Sequence, residues 1–243
     1  MPKYQDKLFN ALDNRLGAAK DTHYIFLLGT GVRYINEPQT NGEFKCYSRG
    51  ETFSYLANLT SLIQKETDTR VLMDSDEAGR LAHTYQSDSV DLLDGVDTMG
   101  NEVGDRVAKA LLLSLAAIGN GSTRLSVSGF SRGGVTGIVL TKEIDRVKRM
   151  LEQDALIEDV SERRSLREII LDTKTVPANY AIREYSYTKT ALEQLLPTPT
   201  ESVSSELEEQ RKAALLGKLK SFKLDFSQTW RLIPSLIADK SIG

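Results

Sequence analysis

Residues Gly129-Phe130-Ser131-Arg132-Gly133-Gly134 carry the clearest chemistry in the chain. They form a Gly-x-Ser-x-Gly turn between an alternating stretch, Arg124-Leu125-Ser126-Val127-Ser128, and an amphipathic stretch beginning near Val135. Strand, tight turn and helix in that order are what a nucleophile elbow requires. A serine on such a turn is pushed out at the carboxyl end of its strand. Glycines beside it remove the Cβ atoms that would collide where strand and helix pass. The N–H of Arg132 and the start of the helix then face any negative charge forming on a bound carbonyl. Ser131 is read as the nucleophile of an acyl transfer. The competing reading is a glycine-rich packing turn or phosphate-holding loop, although the lysine and spacing of a P-loop are missing.

Acyl transfer also needs a base, an orienting acid and oxyanion donors. Gly29-Thr30-Gly31 closes the apolar run His23-Tyr24-Ile25-Phe26-Leu27-Leu28 and can bring a second backbone donor toward Ser131. The same triplet also serves as an ordinary turn after a buried strand. Asp172 ends the short apolar run Glu168-Ile169-Ile170-Leu171, read as a strand, and follows Ser131 as the acid does in α/β hydrolases. An Asp that caps a helix or turn is the alternative. Two histidines are present, His23 and His83, and both precede Ser131. His23 stands at the entrance of the first strand and reads as a surface or packing residue. His83 lies beyond the second strand candidate, on the side where chemistry would occur, so it is the weak candidate base beside the plainer reading of an exposed histidine. Arg132 either steers an anionic substrate or makes a structural salt bridge. Asp74, Asp76 and Glu77 offer oxygen ligands for a divalent cation, but an exposed acidic loop is the simpler reading. Neither a metal nor an organic cofactor is expected.

The elements that must position these groups are legible in the hydrophobic pattern. Helices are expected over Lys7–Ala19, Thr52–Lys65, Val103–Ile118, Val135 to about Leu166 with a break near Ser161, Thr190–Leu196 and Glu206–Leu219. Strands are expected at His23–Leu28, Arg70–Met73, Arg124–Ser128 and Glu168–Leu171. Tyr34–Gly50 reads as a loop and Tyr85–Gly104 as irregular. This alternation predicts an α/β fold, a mainly parallel sheet with helices on both faces in a three-layer sandwich. Functional groups of such sheets gather at the carboxyl ends of strands. Residues 1–196 read as one domain and 197–205 as a linker or loop. Residues 206–243 read as a helical extension that leads toward a further domain.

Composition narrows the partner classes. A net charge of −3 leaves no basic footprint for nucleic acid. Cys46 is the sole cysteine, which excludes an internal disulfide and a cysteine-based zinc cluster. No apolar run approaches the ~18 residues of a membrane span, and residues 1–20 lack the apolar core of a signal peptide. A cytoplasmic protein, or one exported without a cleaved signal, is expected.

The apolar strand running into Gly29-Thr30-Gly31, the Gly-Phe-Ser-Arg-Gly elbow and the later Asp172-Thr173 resemble a family of bacterial and fungal α/β hydrolases that includes the type VI secretion phospholipase effectors. The resemblance covers about residues 22 to 176, and Gly-Phe-Ser-Arg-Gly is its specific part. It implies an α/β-hydrolase-like fold, Ser131 as nucleophile, Asp172 as acid, and Gly29 and Thr30 on the oxyanion side. The substrate implied is a small-molecule or lipid ester. In that family's order the histidine comes last, and none follows Asp172. The base is then expected from a histidine outside these 243 residues, or else from His83. The alternative expectation is a catalytically incomplete hydrolase scaffold that serves as the amino-terminal binding module of a bacterial effector.

Overall fold

A computed structural model describes residues 4–16, 21–27, 29, 37–38, 44–45, 90–93, 95, 103–129, 132–173, 187–196, 198–199 and 203–228. Helix α1 spans Tyr4–Leu12 and strand β1 Thr22–Leu27. Two-residue strands β2, Glu37–Pro38, and β3, Phe44–Lys45, pair antiparallel with each other. Strand β4 is Val90–Leu93, helix α2 Val103–Gly119, strand β5 Arg124–Gly129 and helix α3 Arg132–Asp154. After a 3-10 turn at Val160–Glu162 come helices α4, Leu166–Leu171, α5, Tyr187–Leu195, and α6, Ser205–Ser221, then strand β6, Lys223–Gln228.

The main sheet has the order β4-β1-β5-β6, and every pairing in it is parallel. Neighbouring residues in register share a face, so His23, Ile25 and Leu27 line up with Leu125, Val127 and Gly129, and then with Leu224, Phe226 and Gln228. That face packs against the helices, while Phe26 and Ser128 are buried on the other. Ile25, Leu27, Leu93, Leu125 and Val127 join a single core with residues of all six helices. The other face carries Tyr24, stacked on Phe26, and the exposed pair Arg124–Asp225 at 3.0 Å. Among the described residues the chain is therefore mixed α/β with a parallel sheet, and its helices share the core on one face.

Helix α2 lies inside that helical layer. Its apolar residues do not form a stripe: Ala110 through Gly119 are all buried, as expected for a helix surrounded by protein. It packs against α1, α3, α5 and α6. Leu111, Leu112, Leu115 and Ile118 are fully buried, each contributing about 1.5–3 kcal/mol of transfer free energy. Ser114 in this apolar setting satisfies its hydroxyl by donating to the Ala110 carbonyl at 2.7 Å.

Three expectations are corrected. Glu168–Leu171 is not a strand; it belongs to α4, whose first turn is held by a capping box in which the Ser165 hydroxyl accepts from the Glu168 N–H and Glu168 accepts from the Ser165 N–H. The helix from Val135 does not run on toward Leu166; it starts at Arg132 and stops at Asp154, and the 3-10 turn follows. The stretch taken as irregular contains β4. In residues 205–228, α6 supplies Leu215 and Leu219 to the common core, and β6 pairs along the whole of β5. The expected helix Thr52–Lys65, strand Arg70–Met73 and acidic loop Asp74–Glu77 lie outside the described residues, as does Cys46. No helix among the described residues is long and apolar enough to cross a membrane.

Candidate functional site

Strand β5 ends at Gly129 and helix α3 begins at Arg132, so only Phe130 and Ser131 join them. Both joining residues lie outside the described set. The flanking geometry shows how closely strand and helix approach. A Cβ on Gly129 would stand 2.4 Å from the Gly133 carbonyl oxygen and 2.6 Å from the Gly134 nitrogen. Strand end and helix start touch backbone to backbone, which only glycine permits. The 23-residue helix α3 then aims its amino end at this edge of the sheet. Arg132 is its half-buried first residue, and its carbonyl accepts from the buried Thr136 hydroxyl at 3.1 Å.

The topology marks the same place. From β1 the chain goes on to β4 on one side, whereas from β5 it goes on to β6 on the other. Outgoing connections that diverge in this way leave a crevice beyond the carboxyl ends of the two strands, where α/β sheets bind ligands. Leu27 pairs in register with Gly129, and buried Gly29 follows two residues later. Gly29 and the elbow thus share the crevice edge. Thr30 and Gly31, the remaining oxyanion candidates, and His83, the candidate base, lie outside the described residues.

Asp172 is not at this edge. It is the exposed carboxyl cap of α4, and its carboxylate pairs with Arg164 at 3.1 Å. The Arg164 N–H donates to the Asp154 carboxylate, at the last residue of α3. Arg132 and Asp154 are separated by 22 helical steps, about 33 Å at 1.5 Å per residue. Asp172 therefore ends a helix that lies along the carboxyl-terminal half of α3, where Arg146, 14 residues after Arg132, holds the Ile169 and Ile170 carbonyls. The sequence signal that contradicts the strand reading is Ser165-Leu166-Arg167-Glu168, a capping box just before the apolar run.

His23 is equally remote. It sits near the amino end of β1, four residues or about 13 Å from Leu27. Its ring is buried, and Nε2 shares a 2.9 Å hydrogen bond with Asp91 on β4, beside Lys7 at 3.6 Å from the same carboxylate. It is a packing residue.

A cavity of about 690 Å³ opens elsewhere, between α1, the start of α4, the residues before α6 and α6 itself. Phe9, Pro199 and Val203 supply its apolar wall, and Arg167, Glu168, Glu208 and Arg211 its charges. These groups come together from residues up to about 200 positions apart, so no linear motif announces them. The Ser165 backbone and hydroxyl hold the Glu168 carboxyl below the usual range. The Asp13 carboxylate, hydrogen-bonded twice to Arg211 at 2.7 Å, is lowered for the same kind of reason. Among the described residues no group of three or more His, Cys, Asp or Glu side chains is arranged to hold a metal ion.

No protein-family model, curated protein or solved structure matches this chain. The functional reading therefore rests on the residues themselves.

Proposed function

We propose that the chain is a serine ester hydrolase of the lipase or phospholipase type, built on an α/β-hydrolase-like sheet, with Ser131 as nucleophile. The observation that carries this reading is the backbone contact of Gly129 with Gly133 at the carboxyl end of an inner strand, next to Gly29. It supplies the strand-to-helix reversal that an elbow needs, at the crevice where ligands of such sheets bind.

In this mechanism the Ser131 hydroxyl loses its proton to a base as its oxygen bonds to the ester carbonyl carbon. Backbone N–H groups from Arg132 and from the loop at Gly29 hold the oxyanion. Collapse of the adduct breaks the ester C–O bond and passes the proton to the leaving alcohol, and water then releases the acyl group by the reverse sequence. Asp172 has no part in it. His83 or a histidine outside these residues is the base.

One observation favours a second reading, a catalytically incomplete scaffold. Asp172 and His23 both stand away from the elbow edge. A single experiment separates the two. The hydrolase reading expects fluorophosphonate labelling at Ser131 and hydrolysis of short p-nitrophenyl esters that Ser131→Ala abolishes. Absence of both the adduct and the turnover leaves the scaffold.

A further inference from the structure

The last residues of the four parallel strands form one row across the sheet. Leu93 of β4 pairs in register with Leu27 of β1, Leu27 with Gly129 of β5, and Gly129 with Gln228 of β6. Leu27 and Leu93 are buried apolar residues, and Gly129 has no side chain. Gln228 is thus the polar member of the row. It stands at the carboxyl edge, where parallel sheets gather the residues that meet ligands.

A second contact fixes this end of β6 against α3. A Cβ on Gly137 would lie 2.2 Å from Cε2 of Phe226, so the ring fills the space that a glycine leaves on the helix. Gly137 is five residues after Arg132, about 7.5 Å along the helix axis. Strand β5 touches α3 through Gly129 and Gly133, and β6 touches it through Phe226 and Gly137. Both strand ends are therefore held to the first two turns of one helix. The two flanks of β5 differ in what they offer. On one, β1 leads to Gly29, the oxyanion side of the proposed site; on the other lies β6. In α/β hydrolases the residue that orients the base follows the nucleophile in the chain. Asp172 does follow Ser131, but it ends α4 in an exposed pair with Arg164. Gln228 also follows Ser131, and it ends the strand beside β5.

We infer that Gln228 is a positioning residue of the Ser131 site and takes the part that the acid has in a Ser-His-Asp triad. This rests on the hydrolase reading and deepens it. A primary amide can accept an imidazole N–H on its oxygen and so fix the ring and its tautomer, the part asparagine plays in Cys-His-Asn proteases. It brings no negative charge. The base of this chain is then oriented by position 228, while the imidazolium formed during acyl transfer lacks the counter-charge of an acid.

The rate of fluorophosphonate labelling at Ser131, followed on the whole chain from about pH 5 to about pH 9, tests this. Gln228→Glu, equal in size, supplies the counter-charge. The acid limb of its profile should move up by about one pH unit, because a neighbouring carboxylate favours the imidazolium. Its plateau rate should rise about ten-fold or more, since the charge forming on the base is now compensated. Gln228→Ala should slow labelling about ten-fold and leave the limb in place. A residue that only packs would move no limb in either variant, and circular dichroism checks that both are folded. If Gln228→Ala does not fold, the isosteric Gln228→Glu carries the test. A limb and a rate in Gln228→Glu equal to those of the parent overturn the inference and leave Ser131 a nucleophile. A parent that forms no adduct at Ser131 overturns the hydrolase reading and this inference together.

Discussion

Gly129 and Gly133 touch: a methyl group on the first would lie 2.4 Å from the carbonyl oxygen of the second. The neighbour is backbone on both sides of the turn, so no side chain can swing away to relieve the clash. Gly129→Ala must push β5 and α3 apart, and overpacking of this kind costs about 1–3 kcal/mol. For a chain of this length the melting temperature should fall by roughly 2–4 °C for each kcal/mol, measured by differential scanning calorimetry. Fluorophosphonate labelling of Ser131 should slow in the same variant, because the turn that presents the serine is displaced. A melting temperature equal to that of the parent would show that the contact is not this tight.

The Arg164–Asp172 pair gives a second outcome. An acid that orients a catalytic histidine costs about 10⁴-fold in turnover when changed to its amide. Asp172 is exposed and paired with Arg164 at the end of α4, beside the carboxyl-terminal half of α3, so Asp172→Asn should leave ester hydrolysis, and the rate of Ser131 labelling, within about two-fold of the parent. A loss of several orders of magnitude would return Asp172 to the site.

Acid should loosen the packing of α1 on α6. Hydrogen bonding to Arg211, opposed by burial, lowers the folded-state pKa of Asp13, and the Ser165 N–H and hydroxyl do the same for Glu168. A carboxylate lowered on folding stabilises the native state above its unfolded pKa, about 3.9 for Asp and 4.3 for Glu. That contribution is lost as pH falls through the lower folded value. Urea midpoints should therefore hold from pH 7 to about 5 and drop below about 4. Asp13→Asn should flatten part of that drop, and an unchanged acid limb would remove the pair from the account.

Arg146 is a cation deeply committed to structure. It is 5% exposed, bonds Glu143 at 2.7 Å, and caps α4 by donating to the Ile169 and Ile170 carbonyls at 2.7 and 2.9 Å. Arg146→Met strands a buried carboxylate and two helix-end carbonyls together, which should cost about 3–5 kcal/mol in urea unfolding. Adding Glu143→Gln should recover part of that loss, since the stranded charge is then gone. If the double variant is less stable than the single one, the cost lies in packing and not in charge.

Several elements were readable along the chain because their signals are local. The apolar run His23–Leu28 became β1, Val103–Ile118 became α2, and the glycine turn at 129–134 became the junction of β5 with α3. The charged stretch near Glu206 became α6. Glu168–Leu171 misled because four apolar residues fit a buried strand or a helix equally well, and only the preceding Ser165 distinguishes them. Lys223–Gln228 carries a clean two-residue alternation, Leu224 and Phe226 toward the core and Lys223 and Asp225 to solvent, and could have been read as the strand it is.

The sequence by itself determined the close glycine approach of β5 and α3, because steric relief by glycine is a property of consecutive residues. Helix and strand periods are equally local and fixed the kind of most elements flanking it. Only the tertiary structure decided which distant residues share a site. Strand order set β1 and β5 side by side, so that Leu27, two residues before Gly29, pairs with Gly129. The same packing laid α4, with Asp172 at its end, along the carboxyl-terminal half of α3 and folded β6 in beside β5. A carboxylate 41 positions from a serine can lie beside it or a helix length away, and burial of the common core chooses between them.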